Sequence, residues 1–214
     1  VTWQPDYVTV SDLKAELQIT NTDDDAQVAR WVTSASRAVD KFCHRQFGQV
    51  DELEERYYGV QWQPSSTTLG QPRGLIVGAG FFGRTAGGHW IAVIDDVQDT
   101  TGLAVQDDDG HAITGWKLLP RNNSATGKPY TEIQFGAGFP GHEVAITALW
   151  GWTSVPIPVQ QAVLQQGNRI GWRRGSPSGV AGSPADGSEL RLLAKLDPDV
   201  EVMLSGYRRE TWFS

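Results

Sequence analysis

The chain has 214 residues, 39% of them hydrophobic and nine of them Trp, enough to build a core in one ordinary domain or two small ones. A formal net charge of −7 opposes non-specific attraction to phosphate and to anionic membrane surfaces. The single cysteine, Cys43, excludes an intramolecular disulfide and a thiolate metal cluster, and no apolar run approaches the ~20 residues that span a bilayer.

The stretch from Val1 to Asp6 lacks the basic and apolar regions of a signal peptide, so a soluble intracellular product is expected. Tyr7-Val8-Thr9-Val10 reads as an extended lead-in. Ser11 is the expected N-cap of a short helix, with Asp12 in its first turn and Leu13 and Leu17 on one face. Asn21 to Asp25 starts a second helix, where the three Asp complement the helix dipole better than they would ligate a metal. Val28, Trp31, Val32, Ala35, Val39 and Phe42 recur at spacings of three and four, and Gly48 is the expected C-terminal stop.

From residue 51 to 149 the period changes. Tyr57-Tyr58, Leu75–Val77, Trp90–Ile94, Leu103–Val105, Trp116–Leu119, Thr131–Phe135 and Glu143–Leu149 read as strands between Gly, Pro, Asn and Asp clusters. Asp109-Gly110 is a hairpin signal. The block carries twelve acidic and six basic residues, so the chain's acidity is concentrated here. A strand ending in Trp150-Gly151-Trp152 then leads to an amphipathic helix with Pro158 in its first turn, weakened by Gly167 and Gly171. Gly175 to Ser188 is a polar loop, and Leu190–Leu193 suggests a strand. Asp197-Pro198 opens a last helix that Gly206 stops, before the tail Arg208 to Phe213.

Motifs that carry chemistry are few. Gly78-Ala79-Gly80-Phe81-Phe82-Gly83 matches a dinucleotide fingerprint after an apolar run, with Asp95-Asp96 standing at about the distance of a ribose-binding acid. The pyrophosphate would need a helix N-terminus after the glycines, and only Arg84 to His89 precede the next strand, too few for a crossover. A glycine-rich β-loop is the better reading. Gly127-Lys128 lacks the first glycine of a phosphate loop, and Asp107–Gly110 lacks the alternating ligands of a calcium loop. The four His never take a paired ligand spacing. Cys43 and His44 are helix neighbours that do not face each other, so a buried helix-end cysteine is expected. Trp31 and Trp172 lie on predicted helices, and Trp62, Trp90 and Trp116 have no assignment from pattern alone.

The order of these pieces resembles head-to-tail adaptor (connector) proteins of long-tailed bacteriophages. At the start the resemblance rests on Val8–Lys14, Ala35–Phe42 and Arg45-Gln46-Phe47. At the end it rests on Gly151-Trp152 with Val155-Pro156, Gln161–Val163, Arg173-Arg174, Ser176–Gly182, Asp197–Val200 and Tyr207-Arg208-Arg209, as in adaptors of phages of actinobacteria. The resemblance implies an adaptor core of helices from residues 1–50 and 150–214. The strand pattern adds an antiparallel β-domain, sandwich or barrel-like, inserted at 51–149, a departure from the smallest, all-helical family members, so the expected fold class is α+β.

The resemblance implies a structural, non-enzymatic virion protein of the head-tail junction, assembled in the host cytoplasm. Catalytic residues, cofactor and metal are not expected. It implies a homo-oligomeric ring, commonly of twelve copies, that docks on the portal protein and receives a stopper or tail-completion protein. DNA would pass through the lumen without sequence-specific contact, and no membrane is involved. Arg208, Arg209, Trp212 and Phe213 are the portal-docking candidates; the alternative for this tail is to fold back on its own core. Trp31, Trp152 and Trp172 are candidate subunit or core contacts. Two other readings stay open: an accessory protein whose Trp-bearing β-domain holds glycan, and a small enzyme using a nucleotide cofactor at the glycine loop.

Overall fold

The computed structural model describes residues 4–59, 82–84, 89–136, 143–173, 180–181, 190–191 and 196–209. The chain divides into two compact units. One is Gly48–Thr153; the other joins Gln4–Phe47 to Ser154–Ser214.

The first unit is an antiparallel sheet. Its strands are β1 (Glu54–Gly59), β2 (Phe82–Arg84), β3 (Trp90–Asp107), β4 (Lys117–Leu119), β5 (Tyr130–Gln134) and β6 (Glu143–Trp150). The order is β1-β6-β3-β5-β4, with β2 also pairing β3. A four-residue helix, α3 (Asn123–Thr126), lies between β4 and β5. Period-two alternation along β6 turns Val144, Ile146, Ala148 and Trp150 into a core shared with Tyr58, Ile94 and others. The sequence suggests separate strands at Trp90–Ile94 and Leu103–Val105, whereas β3 runs unbroken for 18 residues. Register shifts against β6 between Val97 and Ala104, and Gly102 at φ +71°, absorb the Asp-Thr-Thr-Gly stretch as a bulge instead of a turn. The hairpin signal at Asp109-Gly110 is met: Gly110 (φ +80°) donates to the Asp107 carbonyl and Gln106 bridges Ala112. The strand expected at Leu75–Val77 lies outside the described residues.

This unit is closed by a backbone crossing. Gly151, at φ +112°, donates its N–H to the Asp96 carbonyl at 2.6 Å, and the Trp152 N–H reaches the Gly48 carbonyl at 3.0 Å. Val50 N–H bonds the Trp150 carbonyl at 2.9 Å, and Gln49 bridges Gly151. The residues by which the chain enters and leaves the sheet unit therefore run side by side. A Cβ on Gly151 would stand 1.9 Å from the Gly48 carbonyl oxygen.

The second unit is helical: α1 (Val10–Glu16), α2 (Asp25–Cys43), α4 (Ile157–Arg173) and α5 (Pro198–Leu204), the last continued by a 3-10 turn at Ser205–Tyr207. The N-cap of α1 is Thr9, not Ser11. Its hydroxyl accepts from the Asp12 N–H while the Asp12 carboxylate accepts from the Thr9 N–H, a reciprocal box that Ser11 is two residues too late to form. The Thr9 hydroxyl, which also donates to the Asp12 carboxylate at 2.6 Å, and then the Thr9 N–H hold the Asp12 carboxyl below its ordinary range. Helix α2 stops at Cys43, with His44 left-handed at φ +52°, four residues before the glycine expected to end it. The early stop frees Phe47 to turn inward, where it is fully buried.

Leu13, Val28 and Val32 form one buried cluster of this unit, with Leu17, Trp31 and Leu164 packed against them. The two glycines of α4 fit here. A Cβ on Gly167 would meet Leu13 Cδ2 at 2.9 Å, and one on Gly171 would meet Trp31 at 3.2 Å and Leu17 at 3.3 Å. They make room for neighbouring side chains. The Asp197 carboxylate caps α5 by accepting from Asp199 N–H, with Pro198 in the first turn as the sequence suggests. Within the expected Gly175–Ser188 loop, β7 (Val180–Ala181) pairs antiparallel with β8 (Leu190–Arg191), so part of that loop is a ladder.

Gly151→Ala should cost ~3 kcal/mol or more of stability, because backbone stands where the Cβ must go and φ is positive. Gly110→Ala, with φ also positive but open space around it, should cost ~1–2 kcal/mol. Urea unfolding of both full-length variants checks this; equal costs would show that the approach to Gly48 is not what fixes Gly151.

Candidate docking surfaces

The C-terminal segment is held to its own helical unit as far as Arg209. The Arg209 N–H donates to the Cys43 carbonyl at 2.8 Å, and the exposed Arg208 guanidinium lies over the Phe42 ring, 5.6 Å from its centroid. The Tyr207 ring meets Phe47 edge-on at 6.0 Å, and Phe47 meets Tyr7 edge-on at 5.7 Å. The Tyr7 hydroxyl donates to the Asp40 carboxylate and accepts from the Phe47 N–H at 3.0 Å. Burial raises the Asp40 carboxyl, opposed by the Tyr7 hydrogen bond and by Arg37; burial, reinforced by Asp40, raises the Tyr7 phenol. An aromatic chain thus ties the lead-in, the end of α2 and the tail together. Trp212 and Phe213 lie outside the described residues.

The other singled-out tryptophans separate by environment. Trp31 is half-buried against the Leu13 cluster. Trp152 is 2% exposed and belongs to the sheet unit rather than to the helical half, because its indole N–H donates to Asp96 Oδ2 at 2.9 Å. Trp172 is 73% exposed at the end of α4, so it takes no place in the core of its own unit. It lines a shallow hollow of about 290 Å³ with Gln165, Asn168, Asp199 and the Arg169–Asp197 ion pair (3.2 Å).

The residues behind the cofactor reading are engaged otherwise. Phe82–Arg84 pairs antiparallel with Trp90–Ala92, so Gly83 sits in a strand and not at the start of a helix. A parallel crossover is what the fingerprint needs. Residues 78–81 lie outside the described residues. Asp95 Oδ2 accepts from Arg56 Nη1 at 2.8 Å and from the Tyr58 hydroxyl at 3.1 Å, while Asp96 holds Trp152. The Arg56 guanidinium also covers the Trp150 ring at 4.9 Å. Pattern reading missed this network, although alternation along Glu54–Tyr58 puts Arg56 and Tyr58 on one strand face. Among the described residues there is no cluster of metal-ligating side chains.

A larger depression lies in the sheet unit. Thr100 and Leu103 on β3, Trp116, Lys117 and Leu118 on and before β4, and Tyr130 on β5 surround about 570 Å³, with Arg121 at its edge. Trp116 and Trp90 pack partly against the sheet core, and the Trp116 indole donates to the Ile113 carbonyl at 3.0 Å. Trp62 lies outside the described residues.

Cys43 is fully buried, and burial pushes its thiol up to about 12. A thiol reagent at pH 8 should leave it unmodified in the native chain and label it fully in urea; rapid native labelling would mean that the end of α2 opens. Trp172→Ala should leave stability within ~0.5 kcal/mol. Trp152→Phe should cost ~1–3 kcal/mol, since Asp96 loses its buried indole donor. Thermal unfolding of the two variants separates these outcomes.

Residues 7–68 match the family model of Phage gp6-like head-tail connector proteins. The whole chain also matches, with a TM-score of 0.53 at 16% identity, a solved chain from the "Neck of empty GTA particle computed with C6 symmetry". That match covers 100% of this chain and 95% of the other. No curated relative matches the sequence. The N-terminal part of the chain thus matches a connector family, and the whole chain shares the fold of a neck chain.

Proposed function

We propose that the chain is the ring-forming adaptor of a phage neck, docking on the portal, extending the DNA channel and receiving a stopper or tail-completion protein. One observation carries the reading: a connector match at residues 7–68 coincides with a neck-protein fold over the full length. The neck it resembles has C6 symmetry, with which a ring of twelve is compatible. The net charge of −7 suits a lumen through which DNA slides without being held.

The portal-docking element in this reading is the segment that begins at Arg208 and Arg209 and carries Trp212 and Phe213. Aromatic and Arg side chains are favoured interface anchors. The contacts of Tyr207 and Arg209 with Phe47 and Cys43 hold the chain to the helical unit as far as Arg209.

Gold-tagged antibody against the chain should label intact and tail-less particles at one vertex, at the neck. Label over the capsid surface or at the tail tip would overturn the adaptor reading. A chain cut after Arg209 should unfold like the full chain, because the contacts through Arg209 are kept, yet fail to join heads to tails in a complementation assay. Full complementation by the shortened chain would remove Trp212 and Phe213 from the docking role.

A further inference from the structure

We infer that the depression at Trp116 and Tyr130 is a socket for the acidic turn Asp107–Gly110 of a neighbouring copy of this chain. The inference rests on the ring proposed above.

The sheet region 51–149 carries twelve acidic and six basic residues, so identical copies set side by side repel one another unless opposite charges meet locally. Three of those six cations, Lys117, Arg121 and Lys128, fall within twelve residues of sequence. Lys117 and Arg121 line the depression, both exposed, and among the described residues no acidic side chain lines it with them. Among the described residues neither has an ion pair. Leu103, Leu118, Trp116 and Tyr130 give the rest of the lining an apolar and aromatic character that suits a backbone turn.

The matching feature lies on the same unit. The Asp107 carboxylate is engaged inside the turn, accepting from the N–H groups of Asp109 (3.1 Å) and His111 (2.7 Å). This fixes the turn and leaves the Asp108 and Asp109 carboxylates exposed, with no partner among the described residues. The two surfaces are made by different segments: the turn follows the last residue of β3, Asp107, whereas the depression is lined by Thr100 and Leu103 of β3 together with residues on and around β4 and β5. Two different patches on one subunit, complementary to each other, make a head-to-tail contact, the kind that closes a ring.

The test uses Asp108→Cys and Lys117→Cys in one chain, carried into particles and treated with a short bismaleimide. Cys43, buried, stays out of the reaction. The expected result is a ladder of multimers of the 23.4 kDa chain from the double variant, and monomer from either single variant. Monomer from the double variant on particles that carry the chain at the neck overturns the socket. The ring reading would then stand, with the depression left to an anionic ligand from elsewhere. A crosslinked dimer from a single variant also overturns the socket, because it places like patches together. Absence of the chain from particles defeats the neck reading, and the socket with it. As a second measure, Asp108→Lys with Asp109→Lys should lower neck occupancy at least tenfold. Adding Lys117→Glu with Arg121→Glu should restore it, and failure to restore would contradict the pairing.

Discussion

The approach of Gly151 to the Gly48 carbonyl is the constraint on which the sheet unit depends. Only a residue without Cβ can stand there, because the atom would fall 1.9 Å from a backbone oxygen. That approach lets Trp152 N–H reach Gly48 and lets Gly151 N–H reach Asp96, so the first and last segments of the unit are hydrogen-bonded to each other and to β3. The two tryptophans beside it complete the joint. Trp150 turns its indole N–H to the Glu54 carbonyl at 2.7 Å, and Trp152 turns its own to Asp96. An insertion whose two ends are joined in this way can be long without loosening the chain that carries it, since closing a longer loop adds little entropy once its ends are pinned.

The helical unit is held by a different device. Its two sequence-distant parts meet through side chains: Leu13 against the gap at Gly167, Trp31 and Leu17 against Gly171, and the aromatic series Tyr7, Phe47 and Tyr207. The Tyr7–Asp40 hydrogen bond lies within that series and couples it to protonation. Because burial raises the Asp40 carboxyl in the folded chain, the native state binds its proton more readily than the unfolded state does. Its contribution is fully present below the ordinary carboxylate range and declines as pH rises through the raised value. Asp12 has the opposite sign: held low by its capping bonds, it contributes above the ordinary range and loses that contribution in acid.

What was legible in the sequence was whatever depended on local period and caps. The stripe on α2, the Asp197-Pro198 start of α5, and the strands at Tyr57-Tyr58, Thr131–Phe135 and Glu143–Leu149 all follow from spacing and turn chemistry. The order of short pieces at the two ends carried the connector resemblance. What was not legible depended on partners distant in sequence. Asp99–Gly102 reads as a turn until β6 is laid alongside and makes it a bulge within one long strand. Gly48 reads as a helix stop until Gly151 shows that its carbonyl is needed elsewhere. Trp152 and Trp172 look alike as aromatic residues in the last quarter, yet one is anchored to Asp96 and the other faces solvent, a difference no local pattern contains.

The same distinction explains why the residues that suggest chemistry are poor guides to function here. Asp95 is taken by Arg56 and Tyr58, Asp96 by Trp152, Asp107 by its own turn, and Cys43 by burial at the end of a helix. Each of these groups, picked out by a motif, holds the fold together. Some of the exposed side chains among the described residues are of another kind: the Trp172 ring, the carboxylates of Asp108 and Asp109, and the cations of Lys117 and Arg121. These are groups that recognise surfaces, one aromatic and the rest charged, set on a turn, a strand edge and a helix end. A molecule that works by contact would keep such groups free, because committing them internally would remove the complementarity its neighbours have to find.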